Sequence, residues 1–116
     1  MRFICGTTVA AVFASVGAAH ADMTGNDLKE ACAALKGTQA SVLCLGYIGG
    51  ALDSMRAINH ALSVNTVCEP RGVTGDQLIA MTRKYLDDHP TDLHLQAASL
   101  IIDMITTAYP CQKNSN

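Results

Sequence analysis

The chain predicts an all-α fold: a small disulfide-stapled bundle of four main helices that follows a cleaved signal peptide. Three observations predict it. Apolar residues recur at helical spacing in four stretches, each bounded by capping or stop residues, and no run of strand alternation interrupts them. An apolar leader opens the chain. Behind it lie four of the five cysteines, Cys32, Cys44, Cys68 and Cys111, an even number that suits two disulfides in a short exported domain.

The leader has a positive residue, Arg2, then a mostly apolar run from Phe3 to Val16 and the small-x-small triplet Ala19-His20-Ala21. That order is a secretory signal. Residues 1–21 are therefore read as the signal peptide and 22–116 as one mature domain of 95 residues. The leader is too short and too poor in leucine for a membrane span. Cys5 departs with it, and no cysteine follows the cleavage point to take a lipid anchor. Cleavage removes Arg2 alone among the charged residues, leaving a net charge of −3 without any basic run. Such a surface gives no electrostatic reason to bind nucleic acid or anionic membrane, and it suits a basic protein partner. The expected location is the periplasm.

The first helix starts at Thr24, which can cap, and carries Leu28, Ala31, Cys32 and Leu35 on one face, with Gly37 as its stop. The second runs from about Gln39 to Asn59 and has no charge between Ala40 and Leu52. Gly46 and Gly50 share a face that Ser54 and Ala57 continue. Each interior glycine costs about 1 kcal/mol relative to alanine, so close approach of another helix is expected there, from within the chain in the first instance and otherwise from a dimer or partner. Asp53 and Arg56, three apart, suit a surface ion pair. Cys68-Glu69-Pro70-Arg71-Gly72 is turn chemistry. Thr74-Gly75-Asp76-Gln77 then forms a capping box, and Leu78, Met81, Tyr85 and Leu86 give the third helix its apolar stripe up to Pro90. The fourth is expected from Thr91 or Asp92 to Ala108, with Asp92 as its cap. Its polar residues, Gln96, Ser99, Asp103 and Thr106, make one thin line, which places this helix at the centre of the bundle or in an oligomer surface.

Four cysteines allow three pairings, and chain order favours Cys32–Cys44 and Cys68–Cys111. Loops of 13 and 44 residues would contribute about 3 and about 4 kcal/mol in the chain-entropy account. No Cys-x-x-Cys occurs and no histidine lies near a cysteine in sequence, so neither a metal site nor a redox pair is expected. His60 and His89 fall at helix ends, where a cation meets the negative end of the dipole. Nothing assembles into a nucleophile elbow, a zinc-binding His-Glu-x-x-His or a phosphate loop, and tryptophan is absent. The chain therefore reads as a non-enzyme without a cofactor. One arrangement breaks a local rule. Asp87 and Asp88 close the third helix, where each negative charge opposes the dipole by about 0.3–1 kcal/mol. With His89 and Asp92 they make an acidic corner, a candidate partner-binding loop for a basic cleft.

Several pieces in order resemble one family, the Rap/Tai immunity proteins of type VI secretion amidase effectors. They are Cys44-Leu45-Gly46-Tyr47-Ile48-Gly49-Gly50-Ala51-Leu52-Asp53, Cys68-Glu69-Pro70-Arg71-Gly72-Val73-Thr74 with Gln77, Lys84-Tyr85-Leu86-Asp87-Asp88-His89-Pro90, then Leu93-His94, Ala97-Ala98 and Ala108-Tyr109-Pro110-Cys111. The resemblance spans about 26–111. It implies a small helical periplasmic protein, dimeric as characterised members are, that covers the cleft of a cysteine–histidine peptidoglycan amidase without chemistry of its own. Gln96 stands where the family often has proline, so the fourth helix is expected to begin earlier. The competing reading is a small periplasmic stress chaperone or an export-associated helical protein. Intact-mass spectrometry of native material should find a chain beginning at Asp22 with no thiol open to alkylation; a retained leader or free thiols would overturn the export reading.

Overall fold

A computed structural model describes residues 22–112. The leader, residues 1–21 with Cys5, lies outside the described residues. The rest is all helical: α1 (Gly25–Ala33), α2 (Gln39–Leu62), α3 (Gly75–Asp88), a single 3-10 turn (Pro90–Asp92) and α4 (Ala97–Ala108). Extended pairing among the described residues is confined to two isolated bridges, Thr24 with Gln96 and Val67 with Pro110.

Helix α1 opens on a capping box. The Asp27 carboxylate accepts from the Thr24 backbone N–H at 2.9 Å and from its hydroxyl at 2.7 Å, while that hydroxyl accepts from the Asp27 N–H. Leu28, Ala31 and Cys32 face the core. Leu35 does not join them: α1 ends at Ala33, Ala34 is extended, and Leu35 is 81% exposed. The chain must turn back within twelve residues to bring Cys44 to Cys32, and Gly37 at φ +87° makes that turn.

The Thr38 hydroxyl caps α2 by accepting from the Ser41 N–H. The helix buries Cys44, Ile48, Leu52 and Met55, and it runs three residues past the expected end. Ser63 closes it in the left-handed conformation, its N–H reaching the Asn59 and His60 carbonyls. Among the described residues, the expected packing of another segment against the glycine strip is absent. A Cβ built on Gly46, Gly49 or Gly50 meets nothing within 4 Å. Helix α2 packs instead through its opposite face, where Cys44, Ile48, Leu52 and Met55 are buried.

The Thr74–Gln77 capping box starts α3, with both reciprocal bonds made. Leu86 and Thr82 are buried, and the Thr82 hydroxyl donates to the Met104 sulfur. Arg56 pairs with Asp53 as expected and also with Glu69, so it ties α2 to the loop before α3. The Cys68–Cys111 disulfide, at the surface, ties that same loop to the end of α4.

Helix α4 starts at Ala97, five or six residues later than expected. Pro90–Asp92 forms only the 3-10 turn, Asp92 caps nothing in α4, and Gln96 at φ −59°, ψ 130° precedes Ala97 without a side-chain cap. The reason is tertiary. Leu93 turns into the core, and the Leu93 and Leu95 carbonyls accept the N–H groups of Asn26 and Gly25 at 2.9 and 3.0 Å. These are the orphan donors at the start of α1. The Ala97 N–H returns a bond to the Met23 carbonyl at 2.8 Å. A helix through 92–96 would forfeit all of these bonds. Beyond Ala97 the central position is as expected: Ala97, Leu100, Ile101, Met104 and Ile105 are all buried.

The clasp between α1 and the segment before α4 closes on Gly25. A Cβ there would lie 2.6 Å from Leu100 Cδ1 and 2.9 Å from the Leu93 Cα. Gly25→Ala, ordinarily favourable at a helix start, should therefore destabilise the domain by about 1–3 kcal/mol. Gly46→Ala, which meets open space, should stabilise the monomer by up to about 1 kcal/mol. Urea denaturation of the two variants checks both signs.

Candidate partner-binding site

Three surface features could engage a partner. The first is the acidic corner at the end of α3. Asp87, Asp88 and Pro90 are exposed, and His89 and Asp92 are half-buried beside them. The two aspartates are not free charges. Asp87 pairs with Lys29 of α1 at 3.0 Å, and Asp88 with Lys84 one turn back at 2.7 Å. These bonds offset the unfavourable helix dipole. The Lys84 bond also holds the Asp88 carboxyl below its ordinary range and lifts the Lys84 ammonium above its own. His89 Nδ1 lies 2.7 Å from the Tyr85 carbonyl, and its ring stacks on Tyr85 with centroids 4.1 Å apart. Burial first, then the charges of Asp103 and Asp92, push the Tyr85 phenol up. The corner is thus fixed from both sides, by an ion pair to α1 before it and by buried Leu93 after it.

The second feature is the outer face of α2. Leu43 and Ile58 are 50% and 58% exposed, and between them the surface is Gly46, Gly50 and Ser54. With Tyr47 and Ala51, and with Ala98 and Ile102 from α4, these small residues line a shallow groove of about 410 Å³. Composition alone marked this strip, but only the tertiary packing shows that no other segment of the described chain covers it.

The third feature was not legible in the sequence. The end of α1, the start of α2 and the middle of α3 enclose a half-open cavity of about 440 Å³. The buried Cys32–Cys44 disulfide lines it, together with Val42, Leu45, Ile79 and Ala80. Its components lie tens of residues apart, so no sequence signal could have joined them. Among the described residues no group of three or more His, Cys, Asp or Glu could hold a metal ion, and no helix is long and apolar enough to cross a membrane.

Two carboxylates carry a pH dependence. The Thr24 hydroxyl first, and its backbone N–H second, hold Asp27 below its ordinary 3.8, and Lys84 does the same for Asp88. A lowered carboxyl favours folding above its ordinary pKa, and that contribution is lost as pH falls through the lowered value. The urea midpoint should therefore fall as pH drops below about 4. Asp27→Asn should lower the midpoint at neutral pH and flatten the acid limb; an unchanged limb would remove the capping box as its cause.

Residues 24–111 match the family model of the Rap1a immunity proteins. No curated protein and no solved structure matches the chain. The family match covers α1 to α4 and both disulfides, so it includes the acidic corner, the outer face of α2 and the cavity.

Proposed function

The chain belongs to the Rap1a immunity proteins, and from that premise we propose that it is a periplasmic inhibitor of a type VI secretion effector, a peptidoglycan amidase whose active-site cleft it covers. The leader Arg2 to Ala21 supports export, and removal of residues 1–21 leaves the matched domain whole. Inhibition is by occupancy, without catalysis by this chain.

The observation that carries the reading is the acidic corner. Two aspartates sit in the last turn of α3, where the dipole opposes them, 64% and 54% exposed at their side chains. A backbone clasp fixes the segment that follows. A rigid acidic loop loses little conformational freedom when it enters a cleft, and its charge speeds encounter with a basic surface. Asp87, Asp88, His89 and Asp92 are the proposed contact residues. A complementary cleft would exchange the Lys29 and Lys84 pairings for its own donors.

The protein is further proposed to act as a homodimer, with the outer face of α2 as the seam. Leu43 and Ile58 stay in water in the single chain, and the glycines between them would let a second backbone approach closely. Light scattering should give twice the mass of one mature chain, and Gly50→Arg should halve it.

Biolayer interferometry against purified type VI secretion peptidoglycan amidases tests the main reading. The mature domain should bind stoichiometrically and stop peptidoglycan cleavage. Asp87→Lys with Asp88→Lys should weaken binding by about 10–1,000-fold, as loss of a few kcal/mol of interface electrostatics does. No binding would overturn the amidase assignment; binding unchanged by the double substitution would overturn the corner.

A further inference from the structure

The cavity beside the Cys32–Cys44 disulfide has a charge pattern of its own. Its walls are apolar: Val42 and Leu45 from α2, Ile79 and Ala80 from α3, and the disulfide. Its mouth carries exposed large side chains, with Val42 66% and Leu45 42% accessible. Three charged residues line it. Lys36 and Asp76 neutralise each other at 2.8 Å. Arg83 is different. Asp87, four residues on along the same face of α3, is taken by Lys29 at 3.0 Å, and Asp76 is taken by Lys36. Arg83 is exposed and has no carboxylate partner among the described residues.

We infer that this cavity is a docking pocket for an apolar side chain of a protein partner that carries a carboxylate next to it, the apolar group entering between α2 and α3 and the carboxylate pairing with Arg83. The cavity is of a size that takes a side chain with part of its segment. Burial of Val42 and Leu45 surface and of the incoming group drives docking. The guanidinium sets the register through a bidentate bond that lysine could not make. The pocket is also continuous with the acidic corner, because Asp76, Ala80, Arg83 and Asp87 follow one another on a single face of α3 at helical spacing. One partner surface can therefore span both, its basic part on the corner and its acidic-apolar part in the pocket. In that respect the inference rests on the inhibitor reading and adds a second, oppositely charged anchor to it.

The pocket can be tested without the partner. The mature domain, labelled with ¹⁵N, is titrated with the peptide acetyl-Ala-Leu-Glu-Ala-amide, with its Leu-Lys counterpart and with decanoate. The Leu-Glu peptide should give saturable shifts at the amides of Val42, Leu45, Ala80 and Arg83, with a dissociation constant on the order of millimolar. The Leu-Lys peptide should bind about tenfold more weakly, and Arg83→Glu should invert that preference. Absence of saturable shifts, or equal shifts from both peptides, overturns the inference, as does decanoate binding tenfold tighter than peptide, which would mark an amphiphile site. Ala80→Trp, at an exposed position, should fill the pocket, with circular dichroism to confirm the fold; Val42→Arg serves if it does not fold. Against the amidase, a loss on Asp87→Lys without a loss on Ala80→Trp or Arg83→Glu would sink the pocket and leave the inhibitor reading standing. No binding by the unsubstituted domain would sink that reading itself.

Discussion

The buried Cys32–Cys44 bridge is the constraint on which the rest of this structure depends. Both sulfurs lie in the core, 2% and 0% exposed by residue, with their Cα atoms 5.0 Å apart. A domain of this size has little apolar area with which to offset chain entropy, and closing a short loop removes part of that entropy from the unfolded chain. The bridge also sets direction. It requires the chain to reverse between the two cysteines, which it does after α1 ends at Ala33 and through Gly37, and the starts of α2 and α3 meet the end of α1 around the cavity. The cavity lies at that junction, beside the disulfide.

A second layer of constraint is hydrogen bonding at helix ends. Every α-helix leaves its first N–H groups without helical partners. In α1 the capping box satisfies one end of that need, and the Leu93 and Leu95 carbonyls satisfy much of the remainder. The same bonds hold the segment before α4 out of the helix and anchor the acidic corner on its C-terminal side. Electrostatics completes the corner. The dipole-opposed charges of Asp87 and Asp88 are tolerated because Lys29 and Lys84 meet them.

Helix α2 shows how one element can face two ways. Its inner stripe, Cys44, Ile48, Leu52 and Met55, is core, while its outer stripe keeps Leu43 and Ile58 exposed around glycines where an added Cβ would meet nothing within 4 Å among the described residues. Glycine in a helix costs stability without return in the single chain. The cost makes physical sense where a second backbone comes close.

Local chemistry in the sequence determined a good deal by itself. The cap at Thr24, the capping box at Thr74, the stop at Pro90 and most of the apolar stripes each depend on residues within a few positions of one another, so helix number, type and most starts could be read directly, whereas α1 ends at Ala33 and not at the expected Gly37. Chain order favoured the observed pairing of cysteines, because short loops close most readily. What required tertiary structure depended on distant partners. The late start of α4 follows from carbonyls bonded to α1 some seventy residues earlier. The exposure of Leu35 follows from the reversal that the disulfide imposes. The open glycine face, the pairing of Asp87 with Lys29 and the cavity beside Cys32–Cys44 exist only once three helices meet. Periodicity reports which residues share a face of a helix; only packing decides what that face meets.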